Sequence, residues 1–149
     1  MKKKILSLLV TMGLAASLVP VSVFADGTEV WDGSIAKSFA GGKGTKDDPY
    51  QIATGSQLAY FAERVNAEEY GEKYADTYFE LTEDIDLGGK EWTPIGETVA
   101  DLILGGTGYF AFAGNFDGNG YIIKNLTIGT ETSPYIGDVC GLFGATSGT

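Results

Sequence analysis

The chain has 149 residues, with 10 basic and 20 acidic side chains, 22 glycines, one cysteine and no histidine. So acidic a chain is not drawn to nucleic acid or anionic lipid by long-range attraction, and without histidine it has no His-ligated zinc and no Ser–His or Cys–His catalytic pair. The lone Cys140 excludes an internal disulfide, so any chemistry rests on carboxylates, lysine, tyrosine or the single arginine, Arg64.

Residues 1–25 read as a secretory signal peptide. Lys2, Lys3 and Lys4 form its charged start, Ile5 to Phe24 its apolar stretch, and Val23-Phe24-Ala25 its exit, with cleavage after Ala25. Pro20 and the small exit residues argue against an anchor, so membrane contact is expected only during export. The protein is expected to be secreted or held at the cell surface. Residues 26–149 then carry seven basic and 20 acidic side chains, a net charge of −13.

Residues 26–48 are polar and glycine-rich and read as a lead-in loop; residues 49–149 read as the folded part. Asp47-Asp48-Pro49 is a turn signal, and Tyr50-Gln51-Ile52 is a short strand. A helix follows: Thr54 is placed to cap it and Gln57 to reach back. Leu58, Phe61, Ala62 and Val65 make one apolar face. Asn66 or the following EEYG stretch, with Gly71 beyond, ends it.

The remainder reads as strands and turns. Tyr78 to Thr82 alternates, and so does Asp84 to Leu87, where Ile85 and Leu87 share one face and Asp84 and Asp86 the other. Gly88-Gly89 turns the chain. Trp92 to Gly96 is a short apolar segment, and residues 97–112 resemble an insertion. Phe116, the DGNG turn, Tyr121 to Ile123, and Asn125 to Ile128 complete the pattern. Short strands, abundant glycine and one helix leave a β-sandwich and a β-solenoid level.

Five phrases in order break that tie: GTKDDPYQI, SQLAYFAERVN, YFELTEDIDLGGKEWTPIG, FAGNFDGNGYIIKNLTI and GLFG at Gly141 to Gly144. Over about residues 41–144 this order resembles the N-terminal part of bacterial cell-surface proteins that carry the GLUG motif. The resemblance implies an all-β fold, a right-handed parallel β-helix whose early helix caps one end. It also implies a surface role of adhesin type. On that reading the chain holds the cap and first coils and is truncated at its C-terminal end.

Candidate chemistry is sparse. Asn115, Asp117 and Asn119, followed by Gly120, match the first half of a calcium loop. An EF-type loop needs a bidentate carboxylate where Leu126 stands, and Asn-Gly and Asp-Gly serve tight turns, so a turn is the favoured reading and a metal the weaker alternative. Asp84 and Asp86, on one strand face, could act as acid and base on a glycosidic bond, with Lys90 nearby in sequence. The competing reading is a solvent-facing strand side whose carboxylates bond a neighbouring turn. Trp31, Tyr50, Tyr60, Trp92, Tyr109 and Tyr121 could stack on sugars or pack in a core, Trp92 above all being core. Cys140 reads as a small buried filler, and the Asn125-Leu126-Thr127 sequon as coincidence.

The sequence therefore favours a non-catalytic, structural or adhesin-like protein with no cofactor. Its partner would be a polysaccharide or protein surface and not a nucleic acid. The rival is a polysaccharide-acting enzyme or carbohydrate-binding module that uses Asp84 and Asp86.

Overall fold

The structure is a computed structural model that describes residues 29–67, 74–96, 98–101, 106–109, 111–129, 131–132, 134 and 140–147. The signal segment, Gly71 and part of the insertion 97–112 lie outside the described residues.

Chain order gives strand β1 (Tyr50–Ile52), helix α1 (Gly55–Asn66), and strands β2 (Tyr78–Leu81), β3 (Ile85–Asp86), β4 (Thr98–Asp101), β5 (Gly106–Tyr109), β6 (Asn115–Asp117) and β7 (Ile123–Lys124). β1, β2 and β6 form a parallel sheet with β2 in the middle, and β3 pairs with β7, also in parallel. Within the insertion, β4 and β5 make a small antiparallel pair. Register places like beside like. Tyr50, Phe79 and Phe116 stand in one row, Ile52 beside Leu81, and Ile85 beside Ile123.

Helix α1 forms as its sequence dictates. Thr54 has extended backbone, and its hydroxyl accepts from the Gln57 N–H at 3.3 Å. The Gln57 side chain reaches back to the N–H of Ala53 at 2.9 Å, one residue before the cap. Together they satisfy two backbone donors at the helix entry. Gly55 occupies the first helical position because Trp31 lies on it: a Cβ there would collide with the Trp31 side chain. At the far end Asn66 donates to the Pro94 carbonyl and accepts from the Gly96 N–H, both at 2.9 Å. The helix terminus is thereby tied to the Trp92–Gly96 segment.

The apolar face of α1 fills the interior. Leu58, Phe61 and Val65 are fully buried, and Phe61 lies against Phe79 at 4.4 Å and parallel to Phe116 at 5.8 Å between ring centroids. It also meets Phe112 and Phe143 edge-on. Burying a side chain of this size contributes about 1.5–3 kcal/mol.

This arrangement overturns the expected right-handed parallel β-helix. The described residues form two small parallel sheets, one antiparallel pair and one helix, a small mixed α/β fold with neither a solenoid nor a closed sheet. The reason lies in how the core is filled, by helix side chains as well as by strands. Phe61 packs across the inner faces of β2 and β6, the place an opposing strand layer would occupy. The strands, two to four residues each, are too short to enclose a core of their own.

Smaller expectations fare unevenly. Gly88 and Gly89 turn the chain with φ of 62° and 66°. Tyr121 and Ile122 lie outside β7, and the Asn125–Ile128 phrase contributes only a single bridge, Thr127 beside Glu91. Asn125 breaks it by entering the left-handed region at φ 58°. The lead-in is more than a loop. Trp31 is buried, and Phe39 stacks on Tyr50 at 4.7 Å. Cys140 is exposed, which corrects its reading as a buried filler. It directly precedes the GLFG segment, in which Phe143 turns inward.

Candidate functional site

Asp84 immediately precedes β3 and Asp86 ends it, so alternation puts both on one face, from which each reaches the segment that carries β7. Asp84 is exposed and its Oδ1 accepts from the Ile122 N–H at 2.9 Å. Asp86 is 8% exposed. Its Oδ1 accepts from the Asn125 amide at 2.7 Å and the Gly88 N–H at 2.9 Å, while Oδ2 faces the Lys124 ammonium at 3.5 Å. The Asn125 amide, then the Gly88 N–H, and to a lesser degree Lys124, hold the Asp86 carboxyl below the ordinary carboxylate range. Asp86 is therefore ionised at neutral pH, the wrong state for a general acid. Both carboxylates bind backbone or amide donors of the segment that carries β7.

In sequence the nearby basic residue is Lys90. The structure instead brings Lys124 and Asn125 to Asp86, while the Lys90 N–H closes the Gly88-Gly89 turn on Leu87. Lys124 was findable only through the register of β3 on β7, which sets Asp86 beside it.

The NFDGNG segment is a turn. Asn115 and Asp117 point outward from β6 on either side of Phe116. Asp117 Oδ1 accepts from the Asn119 N–H at 2.8 Å, and the Tyr121 N–H closes on the Gly118 carbonyl at 2.8 Å. Asn119 and Gly120 both have positive φ, 50° and 79°, as a type I′ turn demands. The Asn119 amide donates to the Leu81 carbonyl at 3.4 Å. Among the described residues no group of three His, Cys, Asp or Glu side chains is placed to hold a metal ion.

The aromatic candidates divide. Trp92 is core, at 2% exposed, and Trp31 meets it edge to face at 5.8 Å. Their indole N–H groups donate to the Leu142 and Ser34 carbonyls at 3.2 and 2.7 Å. Tyr50 and Tyr60 pack around Phe39. Tyr121 is exposed at the turn, and the Tyr109 side chain lies outside the described residues. The two tryptophans floor an open groove of about 530 Å³ between the lead-in, the second half of α1 and the Glu91–Thr93 segment, with Glu63 and Glu91 exposed on its rim.

The chain is similar to a Gly-rich membrane protein, so named provisionally, of Evansella cellulosilytica: 38% identical over 113 residues, which is 71% of this chain and 10% of the relative. The chain thus spans about a tenth of the length of the relative it matches. No known family profile matches it, and no solved structure does. No helix among the described residues is long and apolar enough to cross a membrane.

Proposed function

We propose that this chain is an exported segment of a longer bacterial surface protein, with a structural or adhesion role and no catalysis, of the GLUG-motif kind. The observation that carries the reading is the use of the two candidate carboxylates. Asp84 and Asp86 are occupied in fastening the β7 segment, and Asp86 is held ionised. Three further features support it. The first 25 residues have the pattern of an export signal. The Evansella relative bears a membrane-protein name and is far longer than the matched region. Gly141 to Gly144 is built into the fold: Phe143 packs on Phe112 at 5.6 Å, and the Gly144 N–H donates to the Ile95 carbonyl at 2.8 Å.

The rival, a polysaccharide-acting enzyme using the aspartates, is separated by one experiment. The wild-type chain and an Asp84→Asn, Asp86→Asn double variant, both checked for folding by circular dichroism, are incubated with a panel of polysaccharides. No release of reducing ends from either is expected. Release by the wild type that vanishes in a folded double variant sinks the proposal. Fractionating the native host for the full protein tests location separately, with the cell-surface or culture fraction expected to hold it.

A further inference from the structure

We propose that the aromatic pocket between the lead-in, β1 and α1 binds a neutral polysaccharide, the face of a sugar ring resting on Tyr60 and Phe39. The pocket is an open cavity of about 400 Å³ whose lining includes Phe39, Tyr50, Tyr60, Arg64 and Tyr74. Among the described residues it shares no wall with the tryptophan groove.

Helix α1 supplies two of these residues from outside its core face. Tyr60 and Arg64 are four positions apart, so they are neighbours on the helix surface, beside the stripe of Leu58, Phe61 and Val65 that fills the interior. The lead-in supplies Phe39, and backbone bonds hold it there. The Ala36 N–H donates to the Ser56 carbonyl and the Ala40 N–H to the Gln51 carbonyl, both at 2.9 Å, and the Gln51 N–H donates to the Gly41 carbonyl at 3.0 Å. At Gly42, with φ 81°, the lead-in presses on β1 so closely that a Cβ would fall on the Pro49 carbonyl. The walls are therefore fixed before a ligand arrives, which lowers the ordering cost of binding.

The residue types indicate what the pocket receives. Deep in the core the rings are Phe61, Phe79 and Phe112, none more than 4% exposed. Around the pocket stand three half-buried tyrosines instead. Tyrosine offers an apolar ring and a hydroxyl at once, which matches a sugar with its C–H faces and its rim of hydroxyls. Phe39 lies on Tyr50 and meets Tyr60 edge-on at 5.1 Å, and among the described residues no second ring packs on Tyr60.

Charge selects among ligands. Among the described residues no carboxylate lines the pocket, so a cation finds no counter-ion there. A polyanion is repelled by the strongly acidic chain as a whole. An uncharged ligand meets neither obstacle. Arg64 has an interaction within the chain, and its five N–H donors let it serve the hydroxyls of a ligand as well.

The inference names a ligand for the adhesion role proposed above and rests on it, and the two are tested by different readouts. Release of reducing ends, or absence from the cell-surface and culture fractions, overturns the role; retention by polysaccharide decides the pocket. The chain is run through native gels holding soluble β-glucan, xyloglucan or galactomannan, with polygalacturonate and chitosan as charged controls. Retardation in at least one neutral gel is expected. Tyr60→Ala, checked for folding by circular dichroism, is expected to weaken binding roughly tenfold, while Tyr121→Ala, at the exposed turn, is retarded like the wild type. If Tyr60→Ala does not fold, the wild type is titrated with oligosaccharides of the retained polymer, and the side-chain NMR signals of Phe39 and Tyr60 are expected to shift. No retardation in any neutral gel overturns the inference, as does retardation in the charged gels alone. So does a folded Tyr60→Ala that migrates like the wild type, an equal loss in Tyr121→Ala, or oligosaccharide shifts confined to other residues.

Discussion

Asp86 is the residue on which most of the local polar structure converges. Its folded-state pKa is lowered, so the stability it contributes is fully present above its unfolded value, near pH 4, and is lost as pH falls through the folded value. Urea midpoints are expected to hold steady from pH 7 down to about 5 for this group and then to drop on acidification. In Asp86→Asn that acid-dependent share should shrink, and the midpoint at pH 7 should already lie below that of the wild type. Gly120 offers a cleaner test of backbone strain. A Cβ there meets open space, so Gly120→Ala adds only the cost of a left-handed backbone, about 1–2 kcal/mol by urea denaturation. Its turn was legible, because Asn-Gly asks for positive φ at both positions. The partners of Asp86 were not, because Lys124 and Asn125 lie nearly forty positions away in the chain and reach it only through register.

At the scale of elements, the helix was the most legible part of the sequence. Its cap and its apolar face follow from local pattern, and its end at Asn66 is one of the two the pattern left open. Thr54→Ala should cost about 1 kcal/mol, seen as a lower melting temperature with helix content otherwise retained. Phe61→Ala should cost about 3–5 kcal/mol, because the ring is fully buried and contacts four other aromatic rings. The sequence pattern also located β1 and β2. Periodicity identifies an apolar face but not the surface it meets, so the packing of Phe61 on β2 and β6 was not legible in the sequence. The alternation of Asp84 to Leu87 located β3, whereas β7 sits at the end of the Tyr121 to Ile123 phrase, and the pairing of the two was not legible locally.

For the whole molecule, charge was readable and architecture was not. Parallel pairing with alternating short strands suits several arrangements, and the choice is made by contacts distant in sequence, Phe61 on Phe79 and Phe143 on Phe112. The net negative charge implies mutual repulsion among acidic groups, which salt screens. Raising ionic strength from about 10 mM to about 1 M should therefore raise the melting temperature at pH 7, even as the Lys43–Asp48 pair, exposed and 2.7 Å long, is weakened. A melting temperature that falls with salt would show that attractive pairs dominate.

The chain has two tryptophans, and they touch. Trp31 belongs to the lead-in and Trp92 to a segment some sixty residues later, so every indole signal of this protein originates at one contact between remote parts of the chain. Their edge-to-face rings at 5.8 Å lie close enough for their electronic transitions to couple. A near-ultraviolet dichroism band or a shift in emission is thus a direct optical record of whether the lead-in is seated, and it requires no added label.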